Sequence, residues 1–203
     1  MVTYDIKRER KDLYAAKSGE FTVVEVPPLR FLMVDGHGDP NTAPAYRDAV
    51  QALYTASYAV RASAKKCLGR VHTVGPLEGL WSADDPEVFR TRDKSAWDWT
   101  MMIVQPDWIT RELVEQALAA ARKKSLPSLD RVRFEVFAEG SCVQILHLGS
   151  YDDEAPTLER LHRELLPSRG LAPTGRHHEI YLSDARKVEP ARLRTILRQP
   201  VCG

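Results

Sequence analysis

The order strand, strand, helix, strand occurs twice along this chain of 203 residues, and this repeat narrows the folds open to it more than any other feature. In the first copy Phe21–Val26 and Arg30–Gly36 are β-branched and aromatic runs, separated by Pro27 and Pro28, which cannot donate to a strand ladder. A glycine-rich turn, Gly36-His37-Gly38-Asp39-Pro40, leads to a helix that Asn41 or Thr42 can cap and Pro44 can begin. Tyr46, Ala49, Val50, Leu53, Ser57 and Val60 keep helical spacing and form one apolar stripe. Val71–Trp81 and Trp97–Val104 read as strands joined by the polar stretch Ser82–Ser95. In the second copy Arg131–Phe137 and Ser141–Leu148 form a hairpin around Glu139-Gly140, a helix covers about Pro156–Leu166, and His177–Leu182 is the following strand. Between the copies a helix follows Thr110, and Pro190–Leu197 reads as a last short helix.

Self-similarity at this scale implies duplication of a supersecondary unit. The expected fold class is therefore α+β: two sheet-plus-helix halves about a pseudo-twofold, with a groove between them of the kind that holds small ligands. Residues 1–20 read as an N-terminal arm, and 21–203 as the domain, with halves of about 21–108 and 109–203.

Composition removes several functional classes. Lysine plus arginine number 29 and aspartate plus glutamate 28, so no whole-chain footprint for nucleic acid or an anionic membrane is present. Cys67, Cys142 and Cys202 are sparse and widely spaced, which points to a reducing compartment and away from a structural zinc site. No run approaches the ~20 apolar residues of a membrane span, and Met1–Leu13 has no secretory core, so a cytoplasmic location is expected. A nucleotide cofactor is not expected, because no glycine-rich phosphate loop occurs; nor is a serine-nucleophile elbow. His177 and His178 are strand neighbours that point oppositely, so no metal site is expected there.

The sharpest candidate for chemistry is Glu179. On a strand Glu179 and Tyr181 share one face while Ile180 and Leu182 occupy the other, so one face presents a carboxylate and a phenol. Glu78, in Leu77-Glu78-Gly79-Leu80-Trp81, stands at the place that matches Glu179 in the other half. Gly79 interrupts its strand, as happens at bulges or close approaches. Trp81 and Trp99 supply stacking surface, Tyr54 and Tyr58 lie one helical turn apart as a roof, and Met101 offers an adaptable wall. Tryptophans beside glutamates compose an aromatic cage suited to flat or cationic ligands, each cation–π contact worth roughly 0.5–2 kcal/mol. The plainer reading of each residue is core packing or a wetted sheet face.

The duplicated units, Leu77-Glu78-Gly79-Leu80-Trp81, Asp98-Trp99-Thr100, Gln105-Pro106-Asp107, His177-His178-Glu179-Ile180-Tyr181-Leu182-Ser183-Asp184 and the ending Leu197-Arg198-Gln199-Pro200-Val201 resemble the GyrI-like small-molecule-binding proteins over about residues 20–201. That resemblance implies two SHS2-type modules, with an antiparallel sheet and a central ligand groove. It also implies a buried glutamate, here Glu179, that meets cationic lipophilic compounds, with Tyr181 beside it. Where relatives carry a second tryptophan after the one at Trp81, this chain has Ser82, which widens the expected pocket. Three readings follow from it: a polyspecific binder of planar, often cationic compounds; a hydrolase that opens the cyclopropane of DNA-alkylating natural products, with Glu179 as base and Tyr181 orienting or protonating; and an interaction module acting on a topoisomerase or a regulator. Direct binding of nucleic acid is not expected.

Overall fold

The computed structural model describes residues 3–85, 88, 91 and 93–203, and of Lys124 only the backbone. Pro86, within the polar connection after Ser82, lies outside the described residues, as do Met1 and Val2. The chain begins with two short helices, α1 (Ile6–Glu9) and α2 (Lys11–Tyr14). Strands β1 (Thr22–Val26) and β2 (Leu29–His37) follow, then the long helix α3 (Pro44–Leu68) and strands β3 (Leu77–Ser82) and β4 (Asp98–Gln105). Helix α4 (Arg111–Ala121) leads to β5 (Arg133–Phe137) and β6 (Gly140–Leu148). Helix α5 (Ala155–Arg160) runs on through a π turn, Leu161–Leu165, to Ser168. The short β7 (Ala172–Pro173), β8 (His177–Tyr181) and β9 (Arg194–Cys202) complete the chain.

Among the described residues these strands form one antiparallel sheet in the order β1-β6-β9-β8-β3-β4-β2-β5, with β7 added to β9. The order is symmetric about the β8–β3 seam: β1, β2, β3 and β4, taken in chain order, stand at places that mirror those of β5, β6, β8 and β9. The mixed fold with a large antiparallel sheet is thus the one the sequence leads us to expect. One element differs. Pro190–Arg192 makes a single 3-10 turn, and the chain then enters β9 instead of a last helix. Thr195, Ile196 and Leu197 favour a strand, and the polar Arg198 and Gln199 that follow are buried in it. Val71–Pro76 also lies outside the strand expected there: β3 starts at Leu77, and His72 bridges to Tyr4.

Local signals account for the helices. Asp39, not Asn41 or Thr42, organises the approach to α3: its carboxylate accepts from the Asn41 N–H at 2.9 Å and its carbonyl from Ala43 N–H at 2.8 Å. Pro44 then opens the helix and Gly69, with φ of 64°, closes it in the left-handed region glycine tolerates. Thr110 caps α4 by accepting from Leu113 N–H at 3.3 Å. Gly36 permits a close approach, since a Cβ there would fall 2.0 Å from the Trp99 ring of the adjacent strand.

Helices α3 and α4 cover one half of one sheet face through Leu32, Leu53, Val60, Trp99, Ile103 and Leu113. Helix α5 covers the other half of that face through Val143, Ile145, Leu161 and Leu197. The opposite face is sealed by the N-terminal arm. Ile6, Leu13 and Tyr14 pack with Phe31, Leu80, Met102, Ile180 and Ile196, so the arm lies against the domain as short helices and contributes core.

Beneath the arm lies a buried charge network. Tyr14 donates to Glu78 Oε1 at 2.9 Å, and His178 Nε2 stands 2.9 Å from Glu78 Oε2. His178 Nδ1 lies 3.0 Å from Glu139, and Arg198 reaches the same carboxylate at 3.2 Å. Arg198 also donates to Gln144 Oε1 at 3.1 and 3.0 Å and to the Leu13 carbonyl at 2.8 Å. Burial opposes ionisation of Glu139, but His178 and Arg198 outweigh it and hold its carboxyl down to about 2. Burial likewise disfavours the His178 imidazolium, and Glu139 and Glu78 outweigh that, raising its pKa.

Removing one cation from this network should be costly. Arg198→Met is expected to lose about 3–5 kcal/mol at pH 6, the usual result of stranding a buried charge. Glu139 is depressed, so the stability it contributes is present above its ordinary 4.5 and lost as pH falls toward about 2. The gap between wild type and variant in urea unfolding should therefore narrow across that window. A constant gap would remove Glu139 as the partner that matters.

Candidate functional site

The site is built where β3 meets β8. Their register pairs Leu77 with Tyr181, Gly79 with Glu179 and Trp81 with His177, so these side chains share the helix-covered face. A cleft of about 1500 Å3 runs along α3 over this face, and its lining extends to Ala117 and Ala121 of α4 and to the loop from Ser183 to Lys187. Tyr46, Tyr54 and Tyr58 of α3 line one side; Tyr151 and Glu154 of the turn before α5 line the other. Trp81, Trp97, Glu179 and Tyr181 line it from the sheet side.

A short chain of hydrogen bonds fixes the floor. Trp81 Nε1 donates to the Tyr181 hydroxyl at 3.1 Å, and that hydroxyl donates to Glu179 Oε2 at 2.7 Å. The other oxygen, Oε1, is 3.6 Å from His177 Nε2, beyond hydrogen-bond reach. The Glu179 side chain is 14% exposed, and among the described residues no lysine or arginine pairs with it. Burial first, then the Glu179 charge, push the Tyr181 phenol well above its ordinary pKa, so it stays protonated and remains a donor. The same two causes raise Tyr46, and together with Glu154 and Asp184 they push Tyr151 up to about 12.

The aromatic side chains brace one another. Tyr46 stacks on Trp81 with centroids 6.4 Å apart, and Trp97 meets Trp81 edge-on at 5.5 Å. Tyr151 meets Tyr181 edge-on at 5.6 Å. Gly79 makes room for this set: a Cβ there would lie 2.9 Å from Trp81 Nε1 and 3.2 Å from both Met101 Sδ and the Tyr181 hydroxyl. The strand runs through Gly79 without a break in pairing, so its role is space rather than a kink.

The structure brings Glu179, Tyr181, Trp81, Tyr54 and Tyr58 to one cleft, with Tyr58 at its rim and 58% exposed. It separates three other candidates from it. Glu78 faces the opposite side of the sheet inside the charge network, because its strand partner is Ile180 and not Glu179. Trp99 is buried beneath Tyr46, edge-on at 5.3 Å, and donates to the Gly38 carbonyl. Met101 is fully buried under Gly79. Sequence reasoning missed Tyr46 and Trp97 as walls and Tyr151 and Glu154 altogether. The acidic run Asp152-Asp153-Glu154 reads as ordinary charge at a helix start, and nothing in it signals that Glu154 alone is buried. Among the described residues no cluster of ligating side chains could hold a metal ion, and no helix is long and apolar enough to cross a membrane.

A family model of the GyrI-like small molecule binding domain matches residues 19–201. The chain belongs to this family. The GyrI-like chain is 40% identical to an uncharacterized conserved protein from Listeria innocua, covering 98% of this chain and 100% of that one with a TM-score of 0.89. It is 38% identical to a protein from Listeria innocua described as a hydrolase, covering 99% of this chain and 100% of that one with a TM-score of 0.87. The EcmrR C-terminal domain shares the fold at a TM-score of 0.54 and 13% identity, covering 90% of this chain and 97% of that one. No curated protein matches the chain.

Gly79→Ala tests how tightly the floor is built. The added methyl must displace Trp81 or Tyr181, and overpacking of this kind costs about 1–3 kcal/mol. The expected outcome is a lower melting temperature with shifted tryptophan fluorescence. A melt and spectrum unchanged from wild type would show that the floor gives way freely.

Proposed function

We propose that this GyrI-like domain binds planar aromatic, often cationic, lipophilic molecules with broad specificity. The observation that carries the reading is Glu179: a carboxylate with one oxygen held by Tyr181, the other without a hydrogen bond to His177, in a cleft walled by tyrosines and tryptophans. A carboxylate largely shielded from water, with only the His177 ring 3.6 Å away as a potential cation, is costly. A flat cation relieves that cost, and the rings add stacking and cation–π attraction. Stacking has little sequence of donors and acceptors to satisfy, so many ring systems fit the same walls.

A second reading is hydrolysis of a strained, electrophilic ring, favoured by the relative described as a hydrolase at 38% identity over nearly the whole chain. Here Glu179 takes a proton from water as the water oxygen bonds to a ring carbon; the strained ring bond at that carbon breaks, its electron pair passes into the electron-poor conjugated system and is protonated from solvent, and Tyr181, tied to Glu179 by its own proton, orients the base. Both readings use the same carboxylate, so one variant examines both.

Glu179→Gln keeps the shape and removes the charge. It should weaken cationic dyes by about 2 kcal/mol or more, as expected when one member of a desolvated charge pair is lost, and leave neutral aromatics of equal area nearly unchanged. Fluorescence titration of matched charged and neutral dyes measures this; equal losses for the two classes would make Glu179 merely structural. Incubation with a cyclopropane-bearing alkylator, followed by mass spectrometry, should show turnover by wild type and none by the variant if the domain is a hydrolase. Saturable binding without product selects the binder.

A further inference from the structure

Glu154 is a second carboxyl of the cleft, and cation binding at Glu179 gives it no task. It ends the turn between β6 and α5, is 4% exposed, and lines the same cleft as Glu179. Its Oε1 is buried without a hydrogen-bond partner. Thr195 of β9 lies alongside, and its hydroxyl acts on the Glu154 carboxyl without reaching good hydrogen-bond geometry. Thr195 opposes only part of the cost of burying this carboxyl, which keeps hydrogen-bonding capacity to spare. The turn also carries Tyr151, whose ring packs on Tyr181, so the turn and the floor are one wall.

The groups around Glu154 decide its charge. Glu179 and Tyr181 face it from β8, Asp152 and Tyr151 from its own turn, and Lys94 from the segment before β4. Lys94 lies 3.4 Å from Asp152. Burial, then the negative charges of Glu179 and Asp152, push the Glu154 carboxyl up to about 10 against the pull of Lys94. Two ionised carboxylates would make this a site for dications. One carboxylate and one carboxylic acid make it a site with a negative pole and a hydrogen-bond donor.

We infer that Glu154 sets ligand specificity by donating a hydrogen bond to a neutral acceptor oxygen, such as a ring carbonyl, on the planar molecule stacked in the cleft. The inference rests on the binding reading and extends it. The preferred class becomes planar aromatic carbonyl compounds, with or without a cationic centre for Glu179. A buried donor of this kind rejects an analogue that lacks the acceptor, because the donor is then left unpaired in the complex.

Three probes separate the roles: acridone, which has a ring carbonyl; 9,10-dihydroacridine, the same ring framework without it; and N-methylacridinium, a cation without it. Their affinities are measured for the full chain as wild type, Glu154→Leu, Glu154→Gln and Glu179→Gln. Glu154→Leu should weaken acridone about tenfold, the worth of one hydrogen bond, and change dihydroacridine by less than about twofold. Glu154→Gln keeps a neutral donor and should retain acridone binding and leave N-methylacridinium unchanged. The inference is overturned by equal changes for acridone and dihydroacridine in Glu154→Leu. It is also overturned by a loss of N-methylacridinium in Glu154→Gln, which would mark an ionised Glu154. The melting temperature of Glu154→Leu is read beside its affinities; an equal weakening of acridone and dihydroacridine with a lower melting temperature would mark a structural role and sink the idea. N-methylacridinium against Glu179→Gln tests the binding reading separately. An unchanged affinity there, with a selective loss of acridone in Glu154→Leu, removes the charge reading and leaves Glu154 as the donor. Failure of every probe to bind wild type overturns both.

Discussion

His178, clamped between Glu78 and Glu139 at the centre of the sheet, is the interaction on which the other features depend. Its ring carries one contact to β3 and another to the β5–β6 turn, and Arg198 of β9 closes the circuit on Glu139. With the imidazole protonated, the two cations balance the two carboxylates, which is the condition for keeping such groups out of water. The arm completes the seal, since the Tyr14 hydroxyl and the Leu13 carbonyl are partners within the network. An apolar core would hold the strands together as well, but it would tolerate a slip of one residue more readily than this set of directional contacts.

Register is what the cleft requires. Side chains alternate along a strand, so fixing His178 toward the arm fixes Glu179 and Tyr181 toward the helices. The opposite partner of Glu179 is Gly79, whose missing side chain leaves the space that Trp81 Nε1 and the Tyr181 hydroxyl fill. The carboxylate is then held by a phenol that cannot easily ionise, rather than by a cation that would neutralise it. The buried charge network lies on one face of β8 and the cleft carboxylate on the other, one residue apart.

Periodicity made the α+β class, the hairpin, the helices and the pairing of Glu179 with Tyr181 legible in the sequence, because each rests on local pattern. What stayed hidden rests on tertiary burial. β9 escaped notice because Arg198 and Gln199 look like surface residues and are buried only by partners distant in the chain. Glu154 escaped for the same reason. Glu78 was matched to Glu179 by composition, each a glutamate between apolar residues, but the strands pair Glu78 with Ile180. That single step of register moved it to the far face, where it serves the charge network. Trp99 and Met101 have the right chemistry and the right strand, yet lie a layer too deep to touch a ligand.

The strand order is symmetric about the β8–β3 seam, but the chemistry set on it is not. A second carboxylate on β3 at the place of Gly79 would stand directly opposite Glu179, and like charges across a pair are destabilising. It would also occupy the space of the Trp81–Tyr181 contact. The turn before α3 has Asn41-Thr42-Ala43, whereas the turn before α5 ends in Glu154. Both carboxyls of the cleft therefore come from β8 and the turn before α5, while β3 and α3 contribute the stacked rings of Trp81 and Tyr46. The symmetric frame thus carries an asymmetric lining, because only one of its two central strands can hold a carboxylate beside the Trp81–Tyr181 contact.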